Sequence, residues 1–164
     1  MYEIKQFFKR IYNLYRWFPV IWKDQDWDDF YIFEILKFKL KNQAKYISNK
    51  DRYVDAKRDA EIMRLCIRLI EKVQDEYYST EYLNYRDSEL TFVENKEYPG
   101  HYEVIEIKKS EHFDDYFKKY PRIAKQLTTN DKGKKAFKIA QINEERAHKL
   151  LFKILEQNIR KWWD

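Results

Sequence analysis

The chain has 164 residues, of which 44% are hydrophobic and 37% are charged, and its formal net charge is +5. A chain of this size can bury roughly 70% of the surface that it exposes when unfolded. A disordered chain is not expected, because its many aromatic residues can offset the entropy lost on ordering. Its one cysteine, Cys66, excludes an internal disulfide framework and a multi-cysteine zinc site, and its place in an apolar run predicts a small buried side chain.

The apolar residues of the N-terminal third repeat with the spacing of a helix. They predict a first helix from about Tyr2 to Phe18, ended by Pro19, which disfavours the helical region for the residue before it. Four aspartates within residues 24–29 stand at the start of a second helix that runs to about Ser48. Because the first half of this second helix is apolar nearly all round, we expect it at the centre of a bundle.

A third helix is predicted from about Tyr53 to Tyr77, and a short connection makes it the antiparallel partner of the second helix. Helical periodicity is lost over about 78–110, where β-prone, roughly alternating segments predict a small β-hairpin near 90–107. We expect a fourth helix after Ser110.

The fourth helix should break at Pro121, and a fifth helix is predicted over about 134–162. The sequence contains no internal repeat and no convincing linker. The predicted fold is therefore mainly α, a single helical domain over 1–164 with about five helices and an irregular or β-prone insertion over about 78–110.

Clusters of acidic residues are the candidates for a metal-binding or catalytic site. The aspartates of 24–29 resemble a calcium loop only superficially, because the loop's sixth position lacks glycine and its twelfth lacks glutamate. Charge at a helix N-terminus is the simpler interpretation. A metal-dependent nuclease or phosphodiesterase would need His112, Asp114 and the aspartates of 24–29 to converge from separate helices. No metal, cofactor or catalytic residue is predicted, and an enzyme is not favoured.

Aromatic residues indicate a binding function more strongly than the acidic clusters indicate a catalytic one. The chain holds 30 aromatic residues but only 2 glycines and 3 prolines. Rings beside cations can stack on bases, contact phosphates or anchor a protein interface. The alternative is that the rings are core residues whose neighbouring cations reach water. Lys134 and Lys135 follow a loop that lacks a phosphate-binding motif, so phosphate contact and a solvated helix start both remain open. The candidate binding residues are Trp17, Trp22, Trp27, Trp162, Trp163, Arg16, Arg160, Lys134 and Lys135.

Four aromatic segments stand in order along the chain: RWFPVIW at 16–22, DWDDFY at 26–31, YFKKYPR at 116–122 and the terminal WWD at 162–164. On these segments the chain resembles a loose set of small, functionally uncharacterised tailed-bacteriophage proteins. The resemblance implies a phage protein that acts in the host cytoplasm or is carried in the virion. It transfers no functional residue.

The leading functional hypothesis is a non-enzymatic phage accessory protein, with a role in host interaction or anti-defence, that acts by binding. A host or phage protein is the first expected partner, and nucleic acid or a nucleotide is the alternative. The metal-dependent nuclease and a virion structural subunit are the other hypotheses, and a homo-oligomer is left open. No membrane partner is expected, because no window approaches 18 uncharged apolar residues.

Overall fold

The computed structural model describes residues 2–24, 28, 30–49 and 53–163. The described chain is mainly α-helical with a small antiparallel β-hairpin, as the sequence predicted. Short 3-10 turns lie at Glu81–Tyr85 and at Lys161–Trp163. The elements are α1 Tyr2–Ile21, α2 Phe30–Ser48, α3 Ala56–Gln74, α4 Tyr77–Thr80, β1 Arg86–Glu94, β2 Tyr102–Glu111, α5 Phe113–Lys119, α6 Pro121–Gln126 and α7 Lys132–Asn158.

The chain divides into two compact units. The first unit comprises Met1–Gln74 and Leu150–Asp164, and the second comprises Asp75–Lys149. Each unit contains its own cluster of buried apolar side chains. The single domain over 1–164 stays a prediction.

The core of the first unit is built mainly on α3, whose apolar residues recur at near-heptad spacing. Cys66 lies within it and is fully buried, as predicted, and burial raises the pKa of its thiol to about 11. The buried members of this cluster are Leu40, Ala44, Ile47, Ala60, Met63, Cys66, Ile67, Leu69, Ile70, Leu151, Leu155 and Trp162.

Helices α2 and α3 run antiparallel, which confirms the predicted pairing. Near one end, the Gln74 side-chain amide donates to the carbonyl oxygen of Phe30 at 3.2 Å. Near the other, Arg64 Nη2 donates to Ser48 Oγ at 3.4 Å. These two bonds join the start of α2 to the end of α3 and the end of α2 to the first half of α3.

Two predictions for the first unit are wrong. The first half of α2 is not central: its buried residues all lie in the second half, while Ile32 is 67% exposed. Phe33 and Leu36 of that half pack against the core but are only partly buried, and the Phe38 ring contacts Trp17 of α1. Pro19 does not end α1, which continues to Ile21 with the Trp22 N–H donating to the Phe18 carbonyl at 2.8 Å. Proline disfavours a helical residue before it but does not forbid one.

The second unit contains the predicted hairpin, with strands longer than expected. Its strands pair from Arg86↔Glu111 to Glu94↔Tyr102, with a bulge after Glu89. Gly100 has a φ of 87° in the turn, a left-handed conformation that glycine adopts without steric cost. The predicted break at Pro121 is also confirmed, because α5 ends at Lys119 and α6 begins at the proline.

A tyrosine–aspartate pair at the start of α3 makes the first unit sensitive to alkaline pH. The Tyr53 hydroxyl donates to Oδ2 of the buried Asp59 at 3.0 Å, and burial, reinforced by that bond, raises the pKa of Tyr53 to about 12 from 10.0. A pKa raised on folding gives stability that is present below pH 10.0 and is lost as pH rises toward about 12.

We expect Tyr53→Phe to lower the free energy of unfolding at pH 7 by about 1–2 kcal/mol, because Asp59 loses its donor. The difference between wild type and variant should shrink above pH 10 as the wild-type tyrosine ionises. Urea unfolding at a series of pH values measures it. A difference that stays constant up to pH 12 would contradict the assignment.

Candidate binding surface

Helix α1 has an apolar face along its whole length. At about 100° per residue, and apart from Tyr2, Tyr12, Trp17 and Val20, its large apolar side chains fall within an arc of about 140°. They are between 47% and 78% exposed, and no residue of Tyr2–Ile21 is buried. We call this set, together with Trp22 directly after the helix, the α1 face: Ile4, Phe7, Phe8, Ile11, Leu14, Tyr15, Phe18, Ile21 and Trp22.

The opposite side of α1 attaches the helix to α2. The ring of Trp17 packs edge-on against Phe38, with 4.7 Å between centroids. Arg16 donates to the side-chain carbonyl oxygen of Asn42, and its guanidinium carbon lies 6.0 Å from the Phe38 ring centroid. Thus α1 packs through a side that contains polar residues and presents its apolar face to solvent. Surface helices normally have the reverse arrangement.

The area of the α1 face is large for a free monomer. If each of its side chains leaves roughly 100 Å² accessible, the face covers on the order of 900 Å². The largest apolar patch on an ordinary monomer is about 300–600 Å², and a stable interface buries about 800 Å² per partner. The α1 face therefore has the size of a complete contact surface.

The structure separates the predicted tryptophans. Trp22 is exposed and belongs to the α1 face, whereas Trp17 is half-buried against α2. Trp162 is 4% exposed within the first unit's core, so burial favours the core interpretation that the sequence left open. Trp27 lies outside the described residues, and the side chain of Trp163 lies outside the described part as well.

The predicted cations have different environments. Arg16 is engaged with α2, as described, and Arg160 is exposed near the end of the first unit. In the second unit, Lys134 is exposed while its backbone N–H donates to Asp131 Oδ1 at 3.0 Å, which caps α7. Lys135 Nζ lies 5.3 Å from the Phe117 ring centroid. The contacts of both lysines therefore fit the interpretation of a solvated helix start at α7.

Acidic side chains do not assemble into a metal site within the described ranges. Asp114 accepts from Lys132 Nζ at 2.6 Å, while His112 Nε2 lies 3.2 Å from Ser110 Oγ. Among residues 2–24, 28, 30–49 and 53–163, no three His, Cys, Asp or Glu side chains lie close enough to hold one ion. Asp26 and Asp29 lie outside the described residues. The nuclease hypothesis stays a prediction without supporting geometry.

A buried carboxylate in the second unit was not found by sequence analysis. Glu81 is 5% exposed and accepts hydrogen bonds from the Tyr120 hydroxyl at 2.5 Å, the Tyr77 hydroxyl at 3.3 Å and Lys119 Nζ. Burial is the main cause that raises the pKa of Tyr120, and the hydrogen bond to Glu81 is the second cause. The pKa of Lys119 is raised mainly by its hydrogen bond to Glu81. Three donors therefore hold this carboxylate in place.

A groove of about 410 Å³ lies between α2 and α3 in the first unit. Four cations line it with one acid, and its apolar floor is formed by Ala44 and Ile67. Glu71 neutralises one of these cations, because its Oε1 lies 2.8 Å from Lys41 Nζ. The charged lining consists of Lys41, Lys45, Arg64, Arg68 and Glu71.

Comparison with known proteins gives no match to a protein-family model, to a curated protein or to a solved structure. None of the described helices is both long enough and apolar enough to cross a bilayer. The geometry of the described residues therefore carries the functional argument.

Proposed function

We propose that this protein is a non-enzymatic accessory protein that acts by binding, and that the α1 face is its contact surface. One observation carries the proposal: α1 is fixed to α2 through Arg16 and Trp17, so its apolar side points away from the unit. Leaving such a face in water is unfavourable by roughly 25 cal/mol for each Å². The resemblance to phage proteins supports an infected bacterium as the setting.

The chemistry of the α1 face restricts the class of partner. Rings and aliphatic side chains form it, and the cations of α1 fall outside its arc. A partner that offers apolar surface fits this composition better than one that offers phosphates. Among the partners expected from sequence, a host or phage protein therefore fits the face better than a nucleic acid or a nucleotide.

The groove between α2 and α3 favours a second candidate function, the binding of a nucleotide or another phosphate. Its volume lies within the range of small-molecule sites, about 300–1,000 Å³. Lys45 and Arg68 line it without a carboxylate partner among the described residues, and like charges in one groove are unfavourable unless an anion binds. This candidate is secondary because the groove is open and its other two cations are paired.

Site-specific photo-crosslinking in bacterial cells tests the contact surface. Phe8 is 64% exposed on the α1 face. A benzophenone amino acid in its place should give a covalent adduct with the molecule that covers this face. The same residue in place of Gln157, an exposed polar position of α7 in the same unit, should give none. Equal labelling at both positions, or no adduct at Phe8 with or without infection, would contradict the proposal.

A further inference from the structure

We infer that the occupant of the α1 face is an anionic lipid surface, on which α1 lies parallel to the membrane plane. This inference rests on the proposed contact surface, and among partners that offer apolar surface it selects a lipid surface in place of a host or phage protein. It concerns a helix that lies on a bilayer and requires no segment that crosses one. Four properties of α1 support it: its charge, its composition, the extent of its apolar face and the way that it is attached to α2.

The charge of α1 favours an anionic partner. The helix contains four cations, Lys5, Lys9, Arg10 and Arg16, and one acid, Glu3, which gives four minus one, or +3. Lys5 and Arg10 flank the apolar arc on opposite sides, where a lipid headgroup would meet them. A second copy of the chain would bring an equal positive charge against the first. Charge therefore favours anionic lipid over self-association.

The composition of the α1 face is that of an interfacial helix. Such helices combine a basic polar side with an apolar side rich in Trp, Phe and Leu, and have low overall hydrophobicity. Tyr15 is exposed and carries a hydroxyl, and Trp22 carries an indole N–H, as suits rings at the boundary between hydrocarbon and water.

The extent of the face also favours a lipid surface over a protein groove. Grooves that bind a helix read a few anchors at positions i, i+3 or i+4, and i+7. Here every turn contributes, over a helix about 30 Å long. A uniform apolar surface of this length matches a bilayer better than a pocketed groove does.

The attachment of α1 leaves the face available without unfolding. Trp17 and Arg16 contact Phe38 and Asn42 of α2, on the side away from the α1 face. The rest of the unit can therefore stay in water while the face enters the headgroup region. No contact within the described unit has to break.

Co-sedimentation of the full chain with vesicles tests the inference. Vesicles of phosphatidylcholine mixed with phosphatidylglycerol should retain the protein, and phosphatidylcholine alone should retain much less of it. The double variant F8Q/L14Q should lower the partition coefficient at least about tenfold, because it removes two large apolar groups from the face. K5Q/R10Q, which removes the two flanking cations, should lower binding to the anionic vesicles about tenfold and leave binding to neutral vesicles unchanged.

N13Q is the matched control, because Asn13 is an exposed polar residue outside the apolar arc of the same helix. It should bind as wild type does. Circular dichroism should show equal helix content in every variant, since Phe8 and Leu14 contribute nothing to the buried core.

Three outcomes would overturn the inference. The first is no sedimentation with either kind of vesicle, and the second is binding that F8Q/L14Q leaves intact. The third is a dimer by light scattering that does not bind vesicles and that F8Q/L14Q makes monomeric, which would assign the face to a second copy. A protein adduct at Phe8 without vesicle binding would reject the lipid and leave the proposed contact surface standing.

Discussion

Leu151→Ala should lower the free energy of unfolding of the first unit by about 3 kcal/mol. Leu151 has no exposed surface and lies in the cluster that α7 completes against α2 and α3. Truncation removes the transfer free energy of its side chain and leaves a cavity that close-packed neighbours fill only in part.

The adjacent residue provides the control. Leu150 is about half exposed on the same helix, so Leu150→Ala should change the free energy of unfolding by less than about 1 kcal/mol. Urea unfolding followed by tryptophan fluorescence measures both, because all 5 tryptophans of the chain fall within the first unit. Equal losses for the two variants would show that α7 does not pack as described.

Glu81→Leu should destabilise the second unit by about 2–4 kcal/mol. The substitution leaves the Tyr120 hydroxyl without its acceptor and Lys119 without its counter-charge. Glu81→Gln keeps an acceptor oxygen and should recover part of the loss. Because Lys119 is about half exposed, water screens part of its attraction to Glu81. Most of the expected loss of stability therefore comes from the lost hydrogen bonds.

Far-UV circular dichroism during urea unfolding measures the effect, since the second unit contains no tryptophan. Glu97→Leu is the control, because Glu97 is an exposed residue of the hairpin turn. It should change the free energy of unfolding by no more than about 0.5 kcal/mol. A loss at Glu97 equal to that at Glu81 would mean that burial of the carboxylate is not the cause.

Periodicity and punctuation were enough to predict most of the helices and the hairpin. Apolar spacing identified α3, and Pro121 marked the boundary between α5 and α6. The prediction that Pro19 ends α1 was wrong, because proline only disfavours a helical conformation of the residue before it, and the rest of the helix can override this preference. The burial of Glu81 could not be predicted, since its partners Lys119 and Tyr120 are 38 and 39 residues away along the chain.

The α1 face shows what sequence can and cannot predict about the site. The pattern of Phe7, Phe8, Ile11 and Leu14 correctly indicates one apolar side of a helix, but a core-facing side and an outward side have the same spacing. The apolar side of α1 faces outward because Arg16 and Trp17, on the opposite side of the helix, contact α2. The prediction of no membrane partner rested on the lack of a spanning segment, and the lipid inference departs from that prediction because a helix lying on a bilayer requires no such segment.

The sealed position of Cys66 has a consequence for the whole chain. Its sulfur has no access to solvent and stays protonated at neutral pH, so oxidants and other thiols cannot reach it while the first unit is closed. With no second cysteine in the sequence, the folded chain forms no internal disulfide, and it forms none with another molecule while Cys66 stays buried.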